Sequence, residues 1–266
     1  MVIPASSDGK IKIIEVTKIF DTPQGSVEAL HEVSLNIGED KIICLVGPSG
    51  CGKSTLLNLI AGFILPTSGR VLVNGKAIRG PGADRAVVFQ QDSTFPWLSV
   101  AGNLEYGPRA RGVPETERKT ILENLLKLVG LAEYRDLYPR QLSGGMKKRV
   151  DLARAYANQP EILLMDEPFG ALDVLTKEKM QLELLRIWRQ DSRTILFVTH
   201  DIEEALFVGH RIAVMTPRPA RIAELVEVPF EKEIDLRIKT TPEFQSYREM
   251  IMEVLYQSEN NGGDEA

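Results

Sequence analysis

The chain has 266 residues, a length that suits one α/β domain with a subdomain inserted or appended. Its hydrophobic content of 43% and charged content of 26% are ordinary for a globular protein. The net charge of -5 argues against nucleic acid as the main partner, because such a surface is basic. The two cysteines, Cys44 and Cys51, are too few for a disulfide framework, so a reducing compartment is expected.

The N-terminus shows no signal-peptide pattern, and no apolar run approaches the roughly 18–20 residues that span a bilayer. We therefore expect any role at a membrane to require another subunit as the anchor.

The first part of the chain alternates strand and helix patterns. Strands are predicted at "IKIIEVT" (11–17) and "VSLNI" (33–37), and the continuous apolar run "KIICLV" (41–46) is typical of a buried parallel strand. A helix is predicted from Lys53 to about Ala61, and short strands follow at "RVLVNG" and "AVVFQ".

The pattern changes over residues 92–160, where three helices are predicted between glycine and proline stops. Alternation resumes with a strand at "EILLMDEP", a helix over about 176–190, a strand at "TILFVTH", a helix over 201–208 and a strand at "RIAVM". This order predicts a mostly parallel α/β sheet interrupted by a helical insert. The end of the chain predicts a short amphipathic helix, "TPEFQSYREMIMEVLYQ", followed by a disordered "SENNGGDEA".

A first glycine loop, "GPSGCGKST", follows the buried strand and precedes a helix. It fits the phosphate-loop pattern at Gly47, Gly52, Lys53 and Ser54, and that context makes the match specific. Backbone amides and the helix N-terminus suit a β-phosphate, Lys53 bridges β- and γ-phosphates, and the Ser54 hydroxyl is a ligand for Mg²⁺. The other residues expected to contact the nucleotide in this loop are Pro48, Ser49, Gly50, Cys51 and Thr55.

Two later strands end in polar residues with catalytic potential. Asp166 ends one strand, where a carboxylate supports a phosphate-bound Mg²⁺, and Glu167 follows it, better placed to polarise an attacking water. His200 ends the strand "TILFVTH", at the edge where strand ends converge on a γ-phosphate, whereas His31 and His210 are interpreted as packing or surface residues. Together with the loop, these residues predict hydrolysis of a nucleoside triphosphate.

A second glycine loop, "LSGGM", has no buried strand before it and no lysine placed like Lys53. Ser143, Gly144 and Gly145 instead begin a helix and offer a hydroxyl, free amides and a helix dipole. One anion that this site suits is a γ-phosphate held by a second copy of the chain, in a symmetric sandwich. The alternative is a helix N-cap with a flexible entry.

These motifs, in this order, resemble the ATP-binding subunits of ABC transporters over roughly residues 10–225. "LSGGM" is similar to the ABC signature, and it stands between the phosphate loop and "ILLMDEP" as in that family. The resemblance implies a RecA-like P-loop NTPase core with an N-terminal antiparallel β part and an inserted ABC helical subdomain, about 92–160. It implies a nucleotide-binding domain over 1–228 and a C-terminal extension over 229–266.

Further roles carry over from the resemblance. Gln90 resembles the Q-loop glutamine, which contacts Mg²⁺ or the attacking water and senses the permease, so Ser54, Gln90 and Asp166 form the expected Mg²⁺ set. Asp173 in "GALD" resembles the D-loop aspartate, and Phe20 resembles the aromatic residue that stacks on adenine. The chain departs from the family at three positions, with Met146 replacing a signature glutamine and Lys147 and Lys148 replacing a common Arg-Gln pair.

Other segments resemble the nitrate/sulfonate/taurine importer branch, among them "QQDSTFPWLSV", "DEPFGALD", "THDIEEALF" and "MTPRPARI". The resemblance implies a peripheral subunit on the cytoplasmic face of the membrane that hydrolyses ATP with Mg²⁺. Its implied partners are a second ATPase subunit, identical or closely related, a transmembrane permease, with Pro96 and Trp97 on the docking groove, and an extracytoplasmic solute-binding protein. The solute is left open among nitrate, sulfonates, taurine and similar molecules.

Two other classes compete with this interpretation. A non-transport ABC ATPase in DNA repair or translation usually carries a long coiled-coil insert or two cassettes, and this chain has neither pattern. A phosphate-loop kinase or GTPase would leave "LSGGM" unexplained, and the guanine motif N-K-x-D is missing from the sequence.

Overall fold

The structure is a computed structural model in which residues 9–230 and 235–261 are described. In chain order, the strands of these residues are β1 (Ile11–Thr22), β2 (Gly25–Ile37), β3 (Ile42–Val46), β4 (Ser68–Val73), β5 (Lys76–Ala77), β6 (Arg85–Val88), β7 (Ile162–Asp166), β8 (Thr194–Val198), β9 (Arg211–Met215) and β10 (Ile222–Glu227). The α-helices are α1 (Lys53–Ala61), α2 (Val100–Ala110), α3 (Glu115–Leu128), α4 (Gly144–Ala157), α5 (Val174–Gln190), α6 (Ile202–Val208) and α7 (Pro242–Asn261). Short 3-10 helices lie at Ala132–Tyr134, Pro139–Gln141 and Leu236–Thr240.

The chain divides into two compact units. The core unit contains the described residues up to Gly82 and from Ser192 onward, and the insert unit is Ala83–Asp191. The helical subdomain predicted at about 92–160 lies within the insert unit, which also contains β6, β7 and α5. The division of the chain at residue 228 stays a prediction.

The core unit begins with an antiparallel sheet in the order β2-β1-β4-β5. β1 and β2 form a hairpin in which Thr22 pairs with Gly25, so the "TPQG" segment is a tight turn between long strands. Both strands extend beyond the predicted ranges, because bulges between Ile13 and Val16 and near Lys18 break the alternation that the sequence prediction follows. This sheet is the N-terminal antiparallel part of the predicted fold.

The core unit also contains parallel strands around β3. All five residues of β3 are buried, because β8 and β9 flank it on either side, both parallel to it. β10 then adds to β9 as an antiparallel edge strand. The carboxyl ends of β3, β8 and β9 therefore share one edge of the sheet, and this arrangement confirms the predicted α/β class.

The insert unit combines two parallel strands with four helices. β6 pairs with β7 from Arg85 opposite Ile162 to Val88 opposite Met165. Helices α2, α3 and α4 pack on one another, so the three helices predicted over 92–160 are confirmed. They bury apolar side chains such as Leu104, Leu126 and Leu152.

The last helix, α7, packs against α6, β9 and β10 of the core unit. Phe244 and Ile251 are fully buried on its inner face, and Phe230 stacks on Phe244 with ring centroids 5.6 Å apart. The helix continues to Asn261, so the prediction of disorder from residue 258 was wrong for residues 258–261. The polar composition of residues 258–261 favours disorder when considered alone. The helix nevertheless continues through them because its inner face is packed against the core unit. Residues 262–266, the rest of that prediction, lie outside the described residues.

Candidate functional site

The phosphate loop connects the buried strand β3 to helix α1, as the sequence predicts. Gly50 and Gly52 adopt φ values of +74° and +127°, which residues with a Cβ rarely tolerate. A Cβ added to Gly52 would lie 2.9 Å from Leu30 Cδ2 of β2. Glycine is therefore required at Gly52 for both conformation and space, and the loop amides stand before the N-terminus of α1.

Lys53 is the first residue of α1 and is only 5% exposed. Its Nζ donates hydrogen bonds to the Gly47 carbonyl at 2.8 Å and to the Pro48 carbonyl at 2.9 Å. The ammonium group is thus held against the loop itself. A cation held beside free amides and a helix N-terminus is a suitable arrangement for a phosphate group.

Cys51 lies inside the same loop and is 1% exposed. Burial raises the pKa of its thiol, although the nearby positive charge of Lys53 opposes the shift. The Arg218 guanidinium also lies near the loop, with Nη2 3.8 Å from the Cβ position of Gly50. The loop therefore has a positively charged environment with an inert thiol at its centre.

Two other predicted residues of the core unit lie at strand ends. The Thr199 amide donates to the Leu45 carbonyl at 3.1 Å, so the chain after β8 runs beside the end of β3. His200, the next residue, is exposed at the sheet edge from which the phosphate loop leaves. Phe20 is 36% exposed near the end of β1 and pairs with Val27 of β2.

In the insert unit, Asp166 and Glu167 stand at the end of β7, and both are half-buried. Glu167 adopts a φ of +43°, a left-handed conformation that is unusual for a residue with a side chain. Its Oε2 lies 3.5 Å from the Cβ position of Gly170, and Gln90 Nε2 lies 3.6 Å from the same point. The head groups of Glu167 and Gln90 therefore lie close together, and Gly170 leaves the space for them.

The second glycine loop begins helix α4, as predicted. Ser143 is its N-cap, and its Oγ accepts a hydrogen bond from the Met146 amide at 3.3 Å. Ser143 and Gly144 are exposed, and a Cβ on Gly145 would lie 2.9 Å from Thr176 Cγ2. The loop thus presents a hydroxyl and a helix N-terminus at the surface of the insert unit.

Asp173 has a local role that the sequence interpretation did not anticipate. It is the N-cap of α5, and its Oδ1 accepts a hydrogen bond from the Thr176 amide at 3.1 Å. Hydrogen bonding to Thr176 lowers the pKa of the Asp173 carboxyl. Because Thr176 also contacts Gly145, the second glycine loop and the start of α5 are packed together.

The sequence interpretation also missed a buried polar cluster between α4 and the segment after β6. Lys148 and Asp151 are buried one turn apart on α4, with Lys148 Nζ 3.9 Å from Asp151 Oδ2. Burial lowers the pKa of Lys148 and raises the pKa of Asp151. A lysine and an aspartate at positions i and i+3 of a helix are the sequence signal for such a pair.

Within the described residues, no cluster of three or more His, Cys, Asp or Glu side chains could hold a metal ion by itself. None of the described helices is both long and apolar enough to cross a bilayer.

Comparisons with known proteins agree with this geometry. Residues 30–170 match the family model described as ABC transporter. The chain is 47% identical over 246 residues to an uncharacterized ABC transporter ATP-binding protein of Methanocaldococcus jannaschii, with 92% of this chain and 91% of the relative covered. The chain belongs to the ABC transporter family. It is an ATPase of the ABC type.

Two further comparisons bear on its activity. The chain is 44% identical over 262 residues to a taurine import ATP-binding protein of Roseobacter denitrificans, with 96% of this chain and 98% of the relative covered. A solved bacterial ABC transporter cassette in dimeric form superposes with a TM-score of 0.72 at 34% identity, covering 83% of this chain and all of that one. The same cassette has been solved as a dimer in a post-hydrolysis state with ADP and Pi (TM-score 0.71, 33% identity, 83% and 100% coverage).

Proposed function

We propose that this chain is the ATP-hydrolysing subunit of an importer for taurine or a similar small sulfonate. The observation that carries the proposal is the near full-length similarity to a taurine import ATP-binding protein, 44% identical over 96% of this chain. The two glycine loops support ATP hydrolysis as the activity. The first loop suits the phosphates of a nucleotide bound to this chain, and the second suits the γ-phosphate of a nucleotide bound to another subunit. Nitrate and other small anions are the competing solutes.

The nucleotide roles follow from the motif positions. Residues 47–55 hold the phosphates through the loop amides and Lys53, and Phe20 stacks on adenine. The expected Mg²⁺ ligands are Ser54, Gln90 and Asp166, a hydroxyl, an amide and one carboxylate. Such a set fits Mg²⁺, which usually keeps waters and shares substrate phosphates rather than an all-protein cage. When bound, the ion neutralises charge on the phosphate oxygens.

In hydrolysis, Glu167 orients the attacking water and accepts its proton, and His200 donates a hydrogen bond to the γ-phosphate. The left-handed backbone of Glu167 supports this role, because residues held in such conformations cluster at active sites. The head groups of Gln90 and Glu167 lie close together, which supports the proposal that both residues contact the attacking water.

The second loop is assigned to a partner ATPase subunit. Ser143, Gly144 and Gly145 contact the γ-phosphate of the nucleotide held by that partner, and Asp173 lies at the same interface. The exposure of Ser143 and Gly144 supports this assignment. ATP therefore closes two subunits, and hydrolysis releases them.

The remaining partners are a membrane-spanning permease and an extracytoplasmic solute-binding protein that delivers the solute to it. The subunit itself sits on the cytoplasmic face of the membrane. Trp97 supports a docking surface for the permease, because 69% of this residue is exposed while its ring stacks on Phe95 at 5.5 Å. Pro96 lies between these two aromatic residues.

The proposal is tested by isolating tagged Glu167→Gln from detergent-solubilised native membranes with ATP and identifying its partners by mass spectrometry. We expect a polytopic permease in near-equal amount, and taurine-stimulated ATPase activity when the wild-type complex is reconstituted with its binding protein. Trp97→Ala in the same background is the matched control and should lose the permease while still binding ATP. Recovery of soluble proteins or nucleic acid alone would instead favour the non-transport ABC ATPase.

A further inference from the structure

Lys148 lies on the buried face of α4, where it contacts the backbone that carries Gln90. It is 2% exposed, and its Nζ donates to the Phe89 carbonyl at 3.0 Å and to the Gln90 carbonyl at 3.1 Å. Gln90 is exposed although its backbone carbonyl is bound by this buried lysine, and its side-chain Nε2 lies 3.6 Å from the Cβ position of Gly170. One buried ammonium group thus binds two consecutive backbone carbonyls, that of the predicted Q-loop glutamine, Gln90, and that of the residue before it.

The same face of α4 holds the next residues of this segment. The Asp151 carboxylate, 3% exposed, accepts from the Ser93 amide at 3.2 Å and from Ser93 Oγ at 3.0 Å. Arg154 donates to the Ser93 carbonyl, and its guanidinium lies 4.6 Å from the centroid of the Phe95 ring. We call Lys148, Asp151 and Arg154 the clamp, and residues 89–95 the glutamine segment.

The clamp residues are spaced three apart, so they lie along one face of α4. The clamp contacts Phe89, Gln90, Ser93 and Phe95, and these contacts attach the glutamine segment to the helix that begins at Ser143. A buried ammonium needs acceptors on several sides, which here are two carbonyls and one carboxylate. The glutamine segment therefore cannot shift relative to α4 without leaving buried charges unpaired.

We propose that Lys148 is a positioning residue for Gln90, and that the clamp makes the glutamine segment and the signature helix α4 move together. This inference rests on the proposed function, in which Ser143 meets ATP and Gln90 contacts the water or Mg²⁺. Contact of ATP with the N-terminus of α4 is then transmitted to Gln90 of the same chain through Lys148. Because Gln90 lies beside Glu167, its position affects the hydrolytic step more than nucleotide binding.

The first test is Lys148→Met in the full-length protein. We expect kcat for ATP hydrolysis to fall about tenfold or more while the KM for ATP changes less than about twofold, since the phosphate loop is intact. Without any nucleotide, backbone amides of peptides covering 89–97 should exchange hydrogen at least about tenfold faster than in the wild type. Lys148→Arg, which keeps the donors and the charge, should recover most of both properties.

The matched control is Lys147→Met. Lys147 precedes Lys148 on the same helix and pairs with Asp92 at 3.5 Å, but this ion pair is partly exposed, in contrast to the buried contacts of Lys148. This variant removes the same charge and should leave kcat and the exchange of 89–97 within about twofold of the wild type.

A purely stabilising role for Lys148 is separated from the positioning role by the double variant Lys148→Met/Asp151→Asn. Asparagine keeps a side-chain oxygen that accepts a hydrogen bond from Ser93 but carries no charge, so no buried carboxylate is left without its lysine and the stability lost in Lys148→Met should largely return. The positioning role predicts that kcat stays low and that 89–97 still exchange fast. Recovery of kcat together with stability would overturn the proposal, and the double variant also serves if Lys148→Met does not fold.

Unchanged hydrogen exchange of residues 89–97 in folded Lys148→Met would likewise overturn the inference. That measurement needs no nucleotide, so it is independent of the proposed function. The proposed function fails on its own terms if the wild-type protein neither hydrolyses ATP nor associates in its presence.

Discussion

At the residue scale, Glu167 carries the largest backbone departure among the expected catalytic residues. A left-handed conformation of a residue with a Cβ costs about 1–2 kcal/mol, and its φ is +43°. Such a cost persists only where the surroundings fix the conformation. Gly170 has the complementary property, because the absence of a side chain leaves room for Glu167 and Gln90. The space that Glu167 and Gln90 occupy explains why a glycine stands at position 170, shortly after Asp166 and Glu167.

Cys51 gives a prediction of reactivity at the same scale. Because burial raises its pKa and hides its thiol, alkylation by iodoacetamide at pH 8 should be at least about tenfold slower than in urea-unfolded protein. A raised pKa means less thiolate at a given pH. The alkylation rate of Cys51 should therefore keep increasing with pH above the pH range in which an ordinary thiol ionises. Mass spectrometry of the Cys51 peptide measures both rates.

Bound ATP should slow this alkylation further, and a completed modification should abolish ATP binding because the adduct fills the loop. Equal rates in folded and unfolded protein would contradict the buried thiol. Full ATP binding after complete modification would contradict the role of the loop.

At the element scale, regular patterns were the most predictable features. The apolar run of β3 and the helix α1 follow from burial and from the phosphate-loop pattern, and the structure has both at the predicted positions. β1 and β2 were predicted too short, since positive φ values at Glu15 and Glu32 and the bulges interrupt the period of two. The contacts of Asp151 with Ser93 join residues 58 positions apart, a tertiary relation that no local pattern reveals.

Asn103 illustrates the same limit within α2. It is fully buried, and its side chain accepts from the Phe95 amide at 2.8 Å and donates to the carbonyls of Phe95 and Leu98, each at 3.1 Å. It therefore shapes the turn that presents Trp97. An asparagine within a predicted helix does not by itself predict these contacts. They depend on how the turn at Phe95–Leu98 packs against the start of α2.

Helix α7 gives a stability prediction for the C-terminal extension. Phe244 is fully buried and stacks on Phe230, which in turn meets Tyr247 edge-on, so Phe244→Ala should lower the free energy of unfolding of the core unit by about 3–5 kcal/mol. Tyr256→Ala, on the same helix but 59% exposed, is the control and should change it by less than about 0.5 kcal/mol. Urea denaturation of both variants measures the difference, and equal small effects would show that α7 adds little to the fold.

At the scale of the whole molecule, we propose that the two glycine loops contact one nucleotide from two different chains. The phosphate loop belongs to the core unit and the second loop to the insert unit, and each is formed within its own unit. Sequence reasoning could predict an anion-binding role for both loops because the chemistry of each is local, a set of amides before a helix. Which chain supplies each loop to a given ATP is not a local property, and it calls for a measurement of association.

That measurement is light scattering of Glu167→Gln at tens of micromolar, with and without ATP and Mg²⁺. We predict a 29.6 kDa monomer without nucleotide and a species of twice that mass with ATP. Ser143→Glu in the same background should stay monomeric with ATP, because its carboxylate repels the γ-phosphate. A monomer of Glu167→Gln under both conditions, or a dimer that Ser143→Glu does not prevent, would contradict the account of the second loop.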